Sequence, residues 1–335
     1  MIVCGLDVGG TKVEASFFEL SDNVGSGTSW LKVQRPGKNL YMKQLGSKRI
    51  PTERILGYDK VIVNISNLLV SLADELQVNL ATVEGIGIGL PGAVDPVKKA
   101  MSNGNTRIFL NKNLEEDLQK LLKLEIRVEV SNDANCFALA ETLAGAGVQF
   151  AEETNKSIAE QSGIGLILGT GLGGGYIHHG QLIAGASGAA FEVGHTRLEL
   201  NGGLPCYCGQ SGCAEQYLSG TGLEAAYATR MYSQVKELPN SRKIFEMAEA
   251  QEPMALAVLI QYKKWLAKFL ATIVNYMDPD YFVLGGGVSL QNFLYEGLEE
   301  AMMAHIYSPT CKPKIYQHQL GDSAGVVGAA LLTLK

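Results

Sequence analysis

Residues 163–188 read GIGLILGTGLGGGYIHHGQLIAGASG. An apolar run ends at Gly169, a loop of glycines and one threonine comes next, and the segment from Tyr176 to Gly188 holds too many turn formers to continue as a helix. The run Gly169-Thr170-Gly171-Leu172-Gly173-Gly174 formally satisfies G-x-G-x-x-G, and Glu192 lies where a dinucleotide fold keeps its ribose-binding acid. That fingerprint must open a helix, however. The segment reads instead as strand, glycine loop, strand, a layout suited to cradling phosphate. An NAD-dependent dehydrogenase would require a helix after Gly174.

The N-terminus repeats this layout. Residues 2–6 (IVCGL) and 13–18 (VEASFF) are two apolar strands at hairpin distance, joined through Asp7-Val8-Gly9-Gly10-Thr11-Lys12. Glycines there let backbone N–H groups approach a phosphate, and an acid at the strand end can hold hydrated Mg2+ between phosphate oxygens. The alternative is an ordinary Gly-Gly hairpin turn. GLDVGGT and GLILGTGLGGG together hint at two related halves. A third run, Gly285-Gly286-Gly287 after YFVL, either lets a base or ribose lie against bare backbone or simply ends a strand.

Elsewhere strands and helices alternate, which indicates an α/β protein. Ile65, Leu68, Leu69, Leu72 and Leu76 recur at helical spacing, and VEGIGIGLPG (83–92) is a buried strand stopped at Pro91. Residues 114–122 form a helix, and 126–130 a strand running into SNDAN and a helix over 134–145. Helical patterns cover 223–232 and 242–277, a strand covers 281–287, and an amphipathic helix closes the chain from about 323 to 334. Residues 35–60 carry seven Lys or Arg against Glu53 and Asp59 and read as a solvated loop, with an arm for anions or a partner subunit as the alternative.

Two further constellations carry chemistry. Ser131-Asn132-Asp133-Ala134-Asn135 places polar groups at the carboxyl end of a strand, where open α/β sheets bind ligands. Asp133 can accept a hydroxyl proton and Asn132 can orient a polyol, unless one of them simply caps the helix. His195, Cys206, Cys208 and Cys213 give H-x10-C-x-C-x4-C, with Gly209 and Gly212 letting the chain turn back around one centre. Three thiolates and an imidazole complete a tetrahedral Zn2+ set with no open position, so the metal is structural. Folding around it would fix Glu192 and Glu215 to grip sugar hydroxyls, where each alone would be a solvated acid. Cys4, Cys136 and Cys311 read as core thiols, and His178 and His179 as surface or core imidazoles.

Composition narrows the classes. A length of 335 residues implies two domains, and a net charge of −6 lacks the basic footprint of a nucleic-acid protein. No apolar run approaches the ~18 residues of a membrane span, and MIVCGLDVGG is a strand rather than a signal peptide. A cytoplasmic protein without nucleic-acid or membrane partners is expected. Glycine is in surplus, with 39 residues, 17 of them within 163–222, which points to backbone positions that need bare approach.

Together the motifs resemble the ROK family (repressors, open reading frames, kinases) of sugar kinases and regulators, on DVGGTK (7–12), GIGLPG (87–92), NDANCFALAE (132–141), GTGLGGG (169–175), EVGH (192–195), CYCGQSGCAEQYLSG (206–220), DPDYFVLGGG (278–287) and GDSAGVVGAA (321–330). The resemblance implies an actin-like ATPase (ribonuclease H-like) fold with two α/β lobes, a small one of residues 1–121 plus 322–335 and a large one of 122–321. ATP and a hexose would meet in the cleft between them. By position, Asp133 would be the general base for attack on the ATP γ-phosphoryl group. Gly9, Gly10, Thr11, Lys12, Gly169, Thr170, Gly171, Gly173, Gly174, Gly285, Gly286 and Gly287 would hold the nucleotide, with Asp7 near Mg2+. Asn105, Asn132, Glu192, His195 and Glu215 would hold the sugar, His195 serving zinc through one nitrogen and a sugar hydroxyl through the other. Asn103-Gly104-Asn105-Thr106 and PCYCG…SGTG look closest to fructokinases and mannokinases, so fructose, mannose or glucose is expected, phosphorylated at O6. N-acetylglucosamine or N-acetylmannosamine kinases and a non-catalytic sugar sensor are the alternatives. Regulators of the family carry an N-terminal helix-turn-helix, for which a phosphate loop at residue 7 leaves no room. The family habit is the homodimer. Two departures stand out: Phe191 replaces the glycine usual before Glu192, and the basic segment 35–60 is long.

Overall fold

The computed structural model describes residues 1–24, 30–104, 106–231 and 238–334, which form a mixed α/β protein. Strand β1 (Ile2–Val8) turns into β2 (Lys12–Ser21), antiparallel from Val8↔Val13 to Ile2↔Glu19, as the hairpin pattern predicts. Strands β3 (Leu31–Arg35) and β4 (Lys38–Pro51) extend this sheet.

The loop expected over residues 35–60 is therefore largely strand. In β4 only alternate residues such as Leu40 and Met42 are buried, and the solvent face carries the Lys and Arg that give the segment its loop-like composition. Those cations have partners: Arg49 Nε donates to Glu14 at 2.6 Å, Lys38 pairs with Asp22 at 2.9 Å, and Lys48 pairs with Glu75.

Helix α1 (Tyr58–Glu75) comes directly after Gly57 and buries Val61, Ile62, Ile65, Leu68, Leu69 and Leu72, the stripe its spacing predicts. Next come β5 (Ile86–Leu90), the small hairpin β6 (Ala93–Asp95) and β7 (Ala100–Asn103), and α2 (Leu114–Leu122), whose N-cap Asn113 accepts from Glu116 N–H at 3.2 Å. Strand β8 (Val128–Asn132) runs directly into α3 (Asp133–Ala144), and α4 (Ala146–Thr154) comes after it. The sheet order is β3-β4-β2-β1-β5-β8, with β1, β5 and β8 parallel.

Beyond these lie β9 (Ser162–Leu168), β10 (Leu172–His178) and β11 (Gln181–Leu182), then α5 (Glu215–Leu218), α6 (Gly220–Met231) and α7 (Ser241–Glu249). The helical pattern 242–277 divides because Pro253 stands in the first turn of α8 (Pro253–Met277), capped by Glu252, which accepts from Ala255 N–H at 2.6 Å. Strand β12 (Tyr281–Gly285) pairs in parallel with β9 and with β13 (Lys314–Gln317), with α9 (Leu298–Met303) between β12 and β13 in the chain. Helix α10 (Ala324–Leu332) closes the described chain.

Contacts divide the chain into two compact units, one of Met1–Gln161, Gly175–Phe191 and Gln319–Lys335, the other of Ser162–Gly174 and Glu192–His318. This differs from lobes bounded at 121/122 and 321/322. Residues 128–144 join the first unit because β8 pairs with β5 and α3 packs on α10.

The core of the first unit fills the space between α1, α2 and the sheet with Phe17, Ile65, Leu69, Ile86, Ile88, Phe109 and Leu118. Against β1 and β5 lies α10, which buries Ala324, Val326, Val327, Gly328, Ala329, Ala330 and Leu331. It is an internal helix, not the amphipathic helix expected. Gly5 and Gly87 are cross-strand neighbours, and a Cβ on them would stand 1.9 Å from Val326 O and 1.7 Å from Ala329 O. Gly328 does the same toward α3, with 1.8 Å to Cys136 O. Overpacking of this kind costs about 1–3 kcal/mol and sometimes more. Gly87→Ala should therefore lower the melting temperature by several degrees in a thermal scan, and a wild-type melting temperature would refute the close approach.

Candidate functional site

In the first unit, the β1–β2 turn is held by backbone and by β4's exit. Gly9 N–H donates to Lys12 O at 2.9 Å, Thr52 Oγ1 donates to Gly9 O at 2.7 Å, and Thr52 N–H donates to Thr11 O at 3.0 Å. Thr52 is buried, and because it sits in a segment of loop-like composition its role has no signal in the sequence. Gly10 lies beside Arg54, whose Nη1 would be 3.4 Å from a Cβ there, and the Thr11 and Lys12 side chains are exposed. Asp7 ends β1 against the first turn of α10, where a Cβ on Gly325 would lie 3.0 Å from Asp7 Oδ2. Burial pushes the Asp7 carboxyl above the usual carboxylate range; Lys12 and Arg49 oppose the shift and Glu14 adds to it.

At the β8–α3 junction, Asn132 is the N-cap. Its Oδ1 accepts from Ala134 N–H at 2.8 Å and Asn135 N–H at 3.4 Å, while its Nδ2 donates to Gly92 O at 3.3 Å. The capping alternative is thus present for Asn132. Asp133 is the first helical residue, its Oδ1 accepting from Ala134 N–H at 2.8 Å, so the carboxylate sits at the positive end of α3. Asn105 lies outside the described residues.

In the second unit the glycine runs converge at the carboxyl ends of β9 and β12. Gly169 N–H donates to Gly171 O at 3.0 Å, and Gly286, at φ 80°, presses so close that a Cβ would stand 2.5 Å from Leu168 O. The start of α6 braces the loop, with Gly220 N–H on Gly169 O and Thr221 Oγ1 on Thr170 O, both at 2.7 Å. Gly174 lies within strand β10, which runs on to His178 where the dinucleotide fingerprint needs a helix, so that fingerprint is excluded. Glu215 Oε2 accepts from Leu172 N–H at 3.0 Å, and bare Gly171 leaves room for it.

The knuckle assembles as its spacing predicts. One ligand atom from each of His195, Cys206, Cys208 and Cys213 lies within 4.8 Å of the others. Gly209 and Gly212 turn the chain at φ 87° and 77°, and Cys206 N–H donates to Gln210 O at 2.8 Å. Burial pushes the Cys213 thiol up to about 12. At Cys208, burial is outweighed by hydrogen bonds from Gln210 and the neighbouring thiols, which leave it below the usual thiol value. His195 turns Nδ1 toward Cys206 Sγ at 3.7 Å, while Nε2 lies 3.0 Å from the Tyr207 hydroxyl. The nitrogen expected to meet a sugar thus has a protein partner, one that in the sequence is only a spacer between two cysteines. Burial raises the Glu192 carboxyl; His195 opposes that shift and Glu215 adds to it. Cys4 and Cys136 are fully buried core thiols, and His178 and His179 stack on each other at 3.9 Å.

Comparison with known proteins bears on the whole chain. The model of the ROK family matches residues 3–335. An N-acetyl-D-glucosamine kinase of Aliivibrio salmonicida (strain LFI1238) is 33% identical over 341 residues, 99% of each chain. The crystal structure of ROK hexokinase from Thermus thermophilus superposes with a TM-score of 0.76 at 29% identity, covering 99% of this chain and 97% of that one. A ROK family glucokinase from Streptomyces griseus, in complex with glucose and AMPPNP, gives 0.74 at 26% identity over 99% of both. The fold is the actin-like ATPase fold of these proteins. Matched by the family's model over residues 3–335, nearly its whole length, this chain belongs to the ROK family.

Proposed function

We propose that the chain transfers the γ-phosphoryl group of ATP to a sugar hydroxyl, with N-acetyl-D-glucosamine as the preferred acceptor. The observation that carries the reading is the full-length similarity to N-acetyl-D-glucosamine kinases, 33% identity over 99% of both chains. A hexose, the acceptor expected from the motifs, is the second reading. It is favoured by the likeness to the Thermus hexokinase and the Streptomyces glucokinase at 29% and 26% identity.

Phosphoryl transfer needs positioning and charge neutralisation more than covalent chemistry. Asp133 is the base: its carboxylate takes the proton from the acceptor hydroxyl as the oxygen attacks the γ-phosphorus in line and ADP departs. The Gly9–Lys12 turn and the loops of Gly169–Gly174 and Gly285–Gly287 bind the nucleotide through backbone N–H groups. Asp7 is the residue to hold the Mg2+ that accompanies ATP. A dication would offset the burial that raises this carboxyl. Asn105, Asn132, Glu192, His195 and Glu215 bind the sugar. Asn132 does so through its amide nitrogen, since its oxygen is committed to the cap. Glu215 is fixed by the Leu172 N–H, from which it accepts at 3.0 Å, and Glu192 precedes the His195 turn, its carbonyl accepting from His195 N–H at 3.1 Å.

The knuckle fits zinc. In a tetrahedron with Zn–S of ~2.3 Å the ligand edges are ~3.8 Å, and the Cys208–Cys213 sulfur separation is 3.6 Å and the Cys206–His195 separation 3.7 Å. His195, Cys206, Cys208 and Cys213 would hold the ion, whose role is structural because the four fill its coordination.

Asp133→Asn should lower kcat by about 10²–10⁴-fold while melting temperature and zinc content stay at wild-type values; substantial turnover would remove Asp133 from the chemistry. In an ADP-coupled assay across N-acetylglucosamine, N-acetylmannosamine, glucose, mannose and fructose, N-acetylglucosamine should give the highest kcat/KM. A hexose maximum would establish the second reading, and turnover with none would mark a sugar sensor. Chelation of the metal, or Cys208→Ser, should lower the melting temperature and the sugar affinity together, whereas unchanged melting would argue against a structural ion.

A further inference from the structure

Tyr207 stands between two of the knuckle's cysteines, and its hydroxyl lies 3.0 Å from His195 Nε2. The two rings meet edge to face, centroids 5.2 Å apart at 80°. The other nitrogen, Nδ1, faces Cys206 Sγ. An imidazole binds a metal through its unprotonated nitrogen, so with Nδ1 turned to the thiolates the proton sits on Nε2 and is donated to the phenol oxygen. A ligating histidine needs such an outer partner to fix its tautomer and ring plane.

We propose that Tyr207 is the positioning residue of the metal-binding histidine. The inference rests on the zinc reading of the four ligands. Two observations support it. The flanking Cys206 and Cys208 belong to the same ligand set, so the backbone carrying Tyr207 is pinned on each side. Tyr207 is 55% exposed, so its hydroxyl is not there to satisfy a core. The outer hydrogen bond of the ligating imidazole is then already made before sugar binds.

The test is Tyr207→Phe, which keeps the ring and its edge contact and removes one oxygen. Zinc affinity, measured by competition with a chromophoric chelator, should fall ~10–100-fold. In the cobalt-substituted protein the visible absorption bands should shift as the imidazole loses its fixed plane. The KM for sugar should rise more than kcat falls, and melting in excess zinc should match the wild type. Zinc affinity and a cobalt spectrum both indistinguishable from wild type would overturn the role of Tyr207 while leaving the metal site standing. A wild-type protein that binds no zinc by elemental analysis would overturn the metal reading and this inference with it.

Discussion

The arrangement of the first unit depends on one close approach, that of helix α10 to bare backbone on two sides. Gly5 and Gly87 form a platform on β1 and β5, and Gly328 on the helix meets α3. Contact at backbone distance leaves no slack, so β1, β5 and α3 are fixed in register by a helix at the far end of the chain. Asp7 and Asp133 sit at the ends of two of these elements. Their positions are therefore set by packing some residues away from either carboxylate. A buried carboxylate secures the approach to α10: Glu141, fully buried in α3, accepts from Gln319 N–H at 3.0 Å, Leu320 N–H at 2.9 Å and Ala146 N–H at 3.2 Å. Burying a charge is costly unless it is hydrogen-bonded, and these charge-assisted bonds from backbone offset that cost.

The second unit solves a different problem. Residues 195–215 contain few large apolar side chains, and Leu200, Leu204 and Tyr207 are exposed, so the loop cannot bury enough surface to order itself. The tetrahedral ion proposed for the knuckle would supply the missing constraint. The ordering then propagates along the chain, because Glu215 opens α5 two residues after Cys213 and reaches the backbone of Leu172 in the glycine loop. The knuckle and the Gly169–Gly174 loop are thereby joined in this unit, which is why loss of metal should be felt in ligand binding as well as in melting.

Much of the fold is legible in the residues. The β1–β2 hairpin, α1, α2 and the strand through Gly174 come from periodicity and turn chemistry, since each has one buried face or an unambiguous breaker. Strand β4 is hidden because its exposed face is basic and only alternate residues are apolar, a pattern that charge counting reads as loop. The burial of α10 is hidden because a helix covered on both sides announces itself only once its neighbours are known. At the site, spacing alone brings together His195 and the three cysteines, since ligand spacing is local. Thr52 and Tyr207 act through three-dimensional neighbours, a carbonyl in one case and a ring nitrogen in the other, and carry no motif of their own. Preference between an N-acetylated sugar and a hexose is a matter of pocket shape, which short motifs do not encode; full-length similarity weighs toward the former.

Phe191 shows how far a motif departure can be rationalised from backbone alone. The resemblance places a glycine before Glu192, and the structure holds Phe191 at φ 68°, in the left-handed region that glycine enters at no cost. A bulky residue there is strained by about 1–2 kcal/mol, so something must hold it. Its ring stacks on Tyr176 with centroids 5.7 Å apart and planes at 25°, a contact glycine could not make. Aromatic pairs contribute about 0.5–1.5 kcal/mol beyond their buried area, enough to offset most of the strain. What the position demands is therefore a direction of the chain as it enters the Glu192–His195 turn, and not the absence of a side chain. Glycine would meet that demand by freedom, and Phe191 meets it by a stacking partner, at the point where the chain enters the turn that carries Glu192 and His195.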